Sequence, residues 1–388
     1  MKEVIMRYGI NPSQGNAMVK SPEKLPFKIL NGEPSYINLL DAFNSYQLVM
    51  ELKLATGEPA AASFKHVSPS GAAVFNPLSK ELAKSYFVDD MDLSPLAIAY
   101  ARARGTDRMS SFGDCAALSD KVDLSVAKIL KREVSDMIVA PAFDDDALEI
   151  LQSKKKGKYL IIEIDPDYEP EPLEERTLFG VNLIQERNNV LITEKILNNI
   201  VTDNKFLPDS AKRDLLISAI TLKYTQSNSV CFAKDGQTIG VGAGQQSRIH
   251  CTRLAASKAE NWYLRQHPIA LTMKFREGVS HIEQNNAIDK WLCDELTLPE
   301  RKAWEGCFDE VPHKLSFNEK REYLNGLKEI SFASDAFLPF RDNIDRVAQS
   351  GAKYILQTGG SLRDKEVIDA ANEYGIAMAF SGVRLFHH

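Results

Sequence analysis

Cysteine is scarce in this chain: Cys115, Cys231, Cys251, Cys293 and Cys307, an odd number with no Cys-x-x-Cys spacing among them. That pattern excludes a disulfide framework and a structural zinc site of ordinary spacing. The His-x-Glu plus Cys-x-x-Cys ligand set of a zinc deaminase is missing too. No uncharged apolar run is long enough to span a bilayer, and Met1–Gly9 lacks the apolar core of a signal peptide. Positive charge is not in excess. With 47 Lys and Arg against 53 Asp and Glu the net charge is −6, which argues against a nucleic-acid partner but leaves room for a local basic pocket for a small anion. A reduced, cytoplasmic protein with no membrane partner is expected.

What is present is the balance of an ordinary globule: 388 residues, 44% apolar and 26% charged, enough to bury a core without staples. Apolar spacing predicts a helix over 38–56, ended by Gly57 and Pro59. A buried strand, Ala60–Val67, follows, and Ser68-Pro-Ser-Gly71 reads as the turn after it. A helix over Leu93–Arg104 leads to a strand around Ser110–Leu118, and Ser125 is the expected cap of the next helix. Strands Met137–Pro141 and Tyr159–Ile164 flank a helix that opens on Asp144-Asp-Asp and closes on Lys154-Lys-Lys, as a helix dipole prefers. A second series runs through a helix at Ala211–Lys223, a hairpin marked by Asp235-Gly236, a long helix over Ser247–Arg265 and a charged helical block over 282–330. It closes with a helix near Asn343–Gln349, strand Tyr354–Gln357, helix Asp364–Glu373 and strand Ile376–Phe380. Strands alternating with helices predict an α/β fold with a largely parallel sheet. Met137–Ile164 and Tyr354–Phe380 share one strand-loop-helix-strand pattern, and Lys65-His-Val-Ser-Pro-Ser and Lys223-Tyr-Thr-Gln-Ser-Asn each follow a helical region. Two related halves are expected.

Lys65-His66 ends a predicted strand, where ligands bind in open α/β sheets, and an adjacent cation and imidazole can serve as acid and base. Taken alone, the pair reads more simply as a solvated lysine beside a hydrogen-bonded core histidine. Gly240-Val-Gly-Ala-Gly244-Gln-Gln-Ser-Arg248 could cradle phosphate at a helix start, or its glycines could let backbone pass close to another element. Arg7, Arg341 and Arg384 are possible anion clamps, though a lone arginine is more often a surface residue. Trp262-Tyr263 reads as core or interface packing.

Together these segments resemble one family over essentially the whole chain, the transformylase part of AICAR transformylase/IMP cyclohydrolase. The blocks that carry the resemblance are Arg7–Gln14, Ser63-Phe-Lys-His-Val-Ser-Pro-Ser-Gly-Ala-Ala73, Ala101–Asp114, Arg132–Asp136, Lys223-Tyr-Thr-Gln-Ser-Asn-Ser-Val230, Gly242–Arg253 and Ser334–Asp342, in that order. The terminal Arg384-Leu-Phe-His-His388 matches as well. Ser13 departs from the family's usual histidine. The chain opens on the transformylase's own first motif, so a stand-alone enzyme is expected, with a separate IMP cyclohydrolase in the pathway.

The resemblance implies formyl transfer from the co-substrate 10-formyltetrahydrofolate to the 5-amino group of AICAR, without a metal. That amine is conjugated with the neighbouring carboxamide and is a weak nucleophile. It needs a base during attack, and the tetrahedral oxyanion and departing nitrogen need a cation or acid. By resemblance His66 is the base, and Lys65 stabilises the oxyanion and donates a proton from a buried, lowered-pKa ammonium. Asn228 orients the carboxamide or formyl oxygen. Nucleotide contacts carry onto Arg7, Tyr8, Gly113, Asp136, Arg248, Arg384 and His388, and folate contacts onto Ile249, Phe337, Asp342, Asn343, Ser361 and Leu362. The implied fold is a pair of duplicated cytidine-deaminase-like domains without metal, residues 1–170 and 171–388, the second with a helical insertion around 282–330. A homodimer with sites across its interface is implied. The readings that compete are an inactive nucleotide-binding paralogue and a formyltransferase with another donor.

Overall fold

The computed structural model describes residues 2–21 and 24–388. Eleven strands form one central sheet. In chain order they are β1 (Phe27–Asn31), β2 (Ala60–Lys65), β3 (Ser68–Val74), β4 (Asp114–Leu118), β5 (Ser135–Ala140), β6 (Leu160–Ile164), β7 (Val230–Lys234), β8 (Gln237–Gly242), β9 (Ile330–Ser334), β10 (Ala352–Gln357) and β11 (Ala377–Phe380). Across the sheet they lie β11-β10-β9-β7-β8-β3-β2-β4-β5-β6-β1.

The fold is α/β, but the expected largely parallel sheet is corrected to a mixed one. Only β4-β5-β6 and β9-β10-β11 run parallel, while the centre is built from two antiparallel hairpins. The hairpins meet where β3 and β8 pair antiparallel at Ala73 and Gln237.

Eight helices position the site: α1 (Tyr36–Thr56), α2 (Pro95–Gly105), α3 (Leu124–Arg132), α4 (Asp145–Ser153), α5 (Asp209–Lys223), α6 (Arg248–Leu264), α7 (Arg341–Gln349) and α8 (Asp364–Glu373). Helix α1 starts on a Ser35–Asn38 capping box and stops at Gly57, whose φ of 75° suits a residue without a Cβ. Asp123, not Ser125, caps α3, accepting from the Val126 amide; the Ser125 hydroxyl instead ties α3 to Asp92 and Ser94.

Strand side chains alternate between two cores. One lies under α1 and α5, with Leu48, Leu52, Leu215 and Ile220 against Ala62, Val74 and Cys231. The other lies under the remaining helices and the block between α6 and β9, with Tyr100, Ile129, Ala255, Trp291 and Ile344 against Leu118, Ile138 and Phe332.

One sequence of elements occurs twice: helix, hairpin, helix, strand, helix, strand, helix, strand, from α1 to β6 and from α5 to β11. The pairing senses agree strand for strand. Close helix contacts recur too. A Cβ on Gly71 of β3 would meet the Ala103 carbonyl of α2 at 2.1 Å, and one on Gly240 of β8 the Ala255 carbonyl of α6 at 2.3 Å. The position that answers Lys65 is therefore Lys234, at the end of the other hairpin's first strand, and not Lys223, which lies on α5.

A buried ionic network closes the first half. Arg104 pairs with Asp114 at 2.8 Å and with Glu133 at 3.2 Å, and Arg108 reaches Glu133 at 2.7 Å. Burial alone would raise the Glu133 carboxyl, but the two guanidiniums outweigh it and bring it down from 4.5 to about 2. A carboxyl more acidic in the folded chain stabilises the fold above its unfolded pKa and loses that contribution as pH falls through the folded value. Glu133→Gln should therefore lower unfolding free energy at pH 7 by about 3 kcal/mol. It should also flatten the loss of stability between pH 4.5 and about 2. Urea unfolding at a series of pH values reads both, and an unchanged acid limb in the variant contradicts the assignment.

Candidate active site

The β2–β3 hairpin reverses at His66-Val67. Lys65 pairs with Ser68, and both turn residues are left-handed, with φ of 55° and 58°. The turn expected at Ser68–Gly71 is instead the start of β3. Pro69 stands opposite Phe64, and the residue that the register slip between Ser63 and Phe64 leaves unpaired is Ser70, whose hydroxyl donates to the Ser63 carbonyl at 2.9 Å. Two-residue turns of this hand favour Asn-Gly, and a β-branched residue in this region costs about 1–3 kcal/mol. Asp41 of α1 meets that cost. Its Oδ1 accepts from the Val67 amide at 2.7 Å, and the His66 amide faces the same carboxylate. Burial pushes the Asp41 carboxyl up to about 6, against the pull of the two amides.

Around the turn lie most of the residues expected to hold nucleotide. Lys65 Nζ donates to the Phe112 carbonyl at 2.6 Å. Gly113, with φ of 75°, follows, and a Cβ there would come within 3.4 Å of the Asp136 carboxylate. Asp136 is exposed and pairs with Lys155. Tyr8 sits at the start of α1, its carbonyl accepting from the Tyr36 amide at 3.2 Å. The exposed Arg7 guanidinium lies 4.7 Å over the Tyr8 ring and bonds its hydroxyl at 2.9 Å. The burial expected for Lys65 and His66 is corrected: Lys65 is half-buried and His66 is exposed, because a hairpin tip projects from the sheet edge.

The second group gathers at the carboxyl ends of β9–β11. Its link to the hairpin is the Gln226 amide, which donates to Ser68 Oγ at 3.3 Å. Asn228, after a cis Ser227–Asn228 peptide, exchanges backbone hydrogen bonds with Gln245. Its side-chain oxygen accepts from Arg248 Nη2 at 2.8 Å. Arg248 is buried and already engaged, paired with Asp335 and bonded to the Ser229 carbonyl at 2.9 Å. Asp335 in turn accepts from the Ser229 amide and hydroxyl at 2.9 and 3.0 Å. Arg248 thus fixes Asn228 through its side-chain oxygen. The carboxyl-terminal segment is laced to the same loop by the Ser227 amide, which donates to the His387 carbonyl at 3.1 Å. Arg384 covers the Phe386 ring at 4.7 Å, and the His388 ring stands 5.8 Å from that of Phe386.

The expected folate contacts divide by burial. Phe337, Asp342 and Leu362 are exposed, and Ile249 and Ser361 half-buried. Asn343 is buried and ties α7 to α6, accepting from Thr252 Oγ1 at 2.9 Å. Two of the loop glycines have a packing reason. A Cβ on Gly242 would strike the Cys251 carbonyl of α6 at 2.7 Å, as one on Gly240 would strike Ala255.

Asp41 and Asp335 escaped sequence reasoning; the one available signal was an acid inside the apolar run Leu39-Leu40-Asp41-Ala42-Phe43. A cleft of about 540 Å³ between Tyr263, His267, Leu315 and Tyr323 opens in the helical block and holds none of these residues. Among the described residues no three His, Cys, Asp or Glu side chains converge as a metal centre would need. No helix among them is long and apolar enough to cross a membrane.

Residues 1–258 match the family described as the AICARFT/IMPCHase bienzyme. A "Bifunctional purine biosynthesis protein PurH" of Magnetococcus marinus is 33% identical over 99% of this chain and 59% of its own length. Namesakes from Persephonella marina and Rhizobium rhizogenes are each 32% identical, over 100% and 99% of this chain and 60% and 58% of theirs. The chain spans about three fifths of the length of these relatives.

The Arg248–Asp335 pair generates one test. Asp335→Ala leaves a buried guanidinium without its counter-charge, so stability should fall by about 3–5 kcal/mol. Denaturant unfolding reads the loss, and a change below about 1 kcal/mol, the range of exposed pairs, would contradict a buried structural pair.

Proposed function

Because the chain belongs to the AICARFT/IMPCHase bienzyme family, we propose that it transfers a formyl group from 10-formyltetrahydrofolate to the 5-amino group of AICAR, giving FAICAR and tetrahydrofolate. The observation that carries this reading is the strained His66-Val67 turn that follows Lys65, kept at the sheet edge against the Asn228 loop. Strain of this kind persists only where the surroundings impose it, and it concentrates at working sites.

In this reading His66 accepts the proton of the AICAR amine as its nitrogen bonds to the formyl carbon. Lys65, a short reach from Phe112 and Gly113, neutralises charge on the formyl oxygen and returns a proton to the leaving nitrogen. Arg248 holds the Asn228 oxygen and the Asn228 amide nitrogen donates to the Gln246 carbonyl at 3.3 Å, which leaves its second N–H for the substrate. Arg7, Tyr8, Gly113 and Asp136 would take the nucleotide, with Arg384 and His388 at the far rim. The exposed faces of Phe337 and Leu362, with Ile249, Asp342 and Ser361, would take the folate. Arg248, besides holding Asn228, would face the nucleotide, and Asn343, besides tying α7 to α6, would face the folate. None of the residues assigned here would close the ring to IMP, which needs a separate cyclohydrolase site.

The repeated order of elements is read as duplication of a cytidine-deaminase-like unit without metal, over residues 1–170 and 171–388, with the helical block around 282–330 inserted in the second. A homodimer completes the site, because one chain leaves His66, Phe337 and Leu362 open to water. The all-exposed hairpin of Leu173–Leu178 and Val181–Glu186 carries Leu173, Phe179, Val181, Leu183 and Ile184, an apolar arm suited to a second copy. Two small-molecule substrates of this kind fit a cytoplasmic setting.

Purified protein given AICAR and 10-formyltetrahydrofolate should form FAICAR and tetrahydrofolate, and His66→Ala should lose turnover by about a hundredfold or more while still binding AICAR. A variant that keeps most of the activity would remove His66 from the role of base. Dilution should reduce specific activity as the dimer dissociates, and full activity from a species of monomer size would refute the shared site.

A further inference from the structure

Both hairpins are held the same way. Asp41 is the sixth residue of α1 and Asp214 the sixth residue of α5. Asp41 accepts from the Val67 amide at 2.7 Å and faces that of His66. Asp214 accepts from the Asp235 and Gly236 amides, each at 2.8 Å. Both carboxylates are buried beneath their turns. The turns differ in what they need. Asp235-Gly236, with φ of 51° and 83°, is a sequence that adopts this conformation readily, whereas His66-Val67 is not. One turn carries the imidazole proposed to act in catalysis; its counterpart carries none and lies at the opposite edge of the sheet.

We propose that Asp41 is a positioning residue for formyl transfer, its carboxylate holding the His66-Val67 turn in the left-handed conformation that aims Lys65 and His66. The claim rests on the formyl-transfer reading above. A carboxylate is suited to the task because it offers a separate oxygen to each of two amides, as Asp214 does, whereas an amide side chain in the same place would turn its NH2 toward one of them.

The counterpart supplies a matched control. Asp41→Asn and Asp214→Asn each replace one acceptor oxygen by a donor beneath equivalent turns, and Asp214→Asn also gives up the ion pair with Arg213, so its loss of stability should be no smaller. Turnover should separate them. Asp41→Asn should reduce kcat by about tenfold to a hundredfold with KM for AICAR little changed, the scale expected when a catalytic group is displaced by about an ångström. Asp214→Asn should keep kcat within about twofold of the parent, as expected for a change remote from the reacting groups.

Val67→Gly supplies a residue that takes positive φ without strain, so in that background the kcat penalty of Asp41→Asn should shrink to about threefold or less. The same pair keeps the comparison open if Asp41→Asn alone does not fold. Amide exchange gives a readout independent of activity: the Val67 amide should be protected in the parent and unprotected in Asp41→Ala, which has no acceptor to offer it. Equal kcat losses in the two Asn variants, or an undiminished penalty on Val67→Gly, would overturn the proposal. A parent protein with no formyl transfer would overturn the reading it rests on, while the exchange result would still decide whether Asp41 holds the turn.

Discussion

A buried carboxylate that accepts the amides of a two-residue turn is the contact on which the rest of this structure hangs. Hairpin tips are the least constrained parts of a sheet, because their backbone groups face water and few side chains cover them. Here each central hairpin is pinned from within by a helix lying across its face, through Asp41 in α1 and Asp214 in α5. Burying a carboxylate is costly, and burial pushes both of these carboxyls upward. The two amides offset much of that cost. A fixed relation between helix and hairpin tip is the result, and everything at the sheet edge takes its position from it.

Antiparallel pairing of β3 and β8 then decides where chemistry can collect. It sets the two tips at opposite edges, since Ala73 near the end of β3 meets Gln237 at the start of β8. The His66 tip shares its edge with the amino ends of β4 and β5, which bring Gly113 and Asp136. From the other half come the Asn228 loop and the carboxyl ends of β9–β11. The Asp235 tip faces instead the start of β2 and a cleft of about 410 Å³ lined by Glu58, Asn76 and Arg213. Two halves of one plan thus present unlike edges, and only one of them carries a lysine and an imidazole together at its tip.

Much of this was legible in the sequence, and the exceptions have physical causes. Helices α1, α4 and α8 follow from apolar spacing and end charges, and Asp235-Gly236 marked its hairpin because that dipeptide favours the turn unaided. His66-Val67 carried no such mark. Ser68-Pro-Ser-Gly71 is turn-like by composition, yet it lies inside β3, with Pro69 opposite Phe64 and Ser70 bulged out of the register. Lys65-His-Val-Ser-Pro-Ser and Lys223-Tyr-Thr-Gln-Ser-Asn stand alike after helical regions in sequence, but the topology sets Lys65 against Lys234. The site residues divide likewise: exposed Arg7, His66 and Phe337 stand where a ligand can reach them, whereas Arg248 and Asn343 are held by partners, Asp335 and Thr252, far away in sequence. Long-range pairing of this kind leaves no trace in local spacing.

The openness of the pair at the hairpin tip bears on how such a site works. A lysine and histidine buried in advance would need protein groups to compensate the charge lost from water, and would be closed to a bulky nucleotide. An exposed pair on a rigid backbone avoids both difficulties, but in water its electrostatic influence on a developing oxyanion is weak. The missing exclusion of water must then come from whatever covers the tip during reaction: the substrates themselves and, in the reading favoured here, a second copy of the chain. Order is built into the backbone beforehand, where Asp41 supplies it, and the low dielectric arrives only with the ligands. In the proposed transfer the imidazole would stay accessible to a weakly nucleophilic amine until binding, and binding would strengthen the charge interactions that the reaction needs.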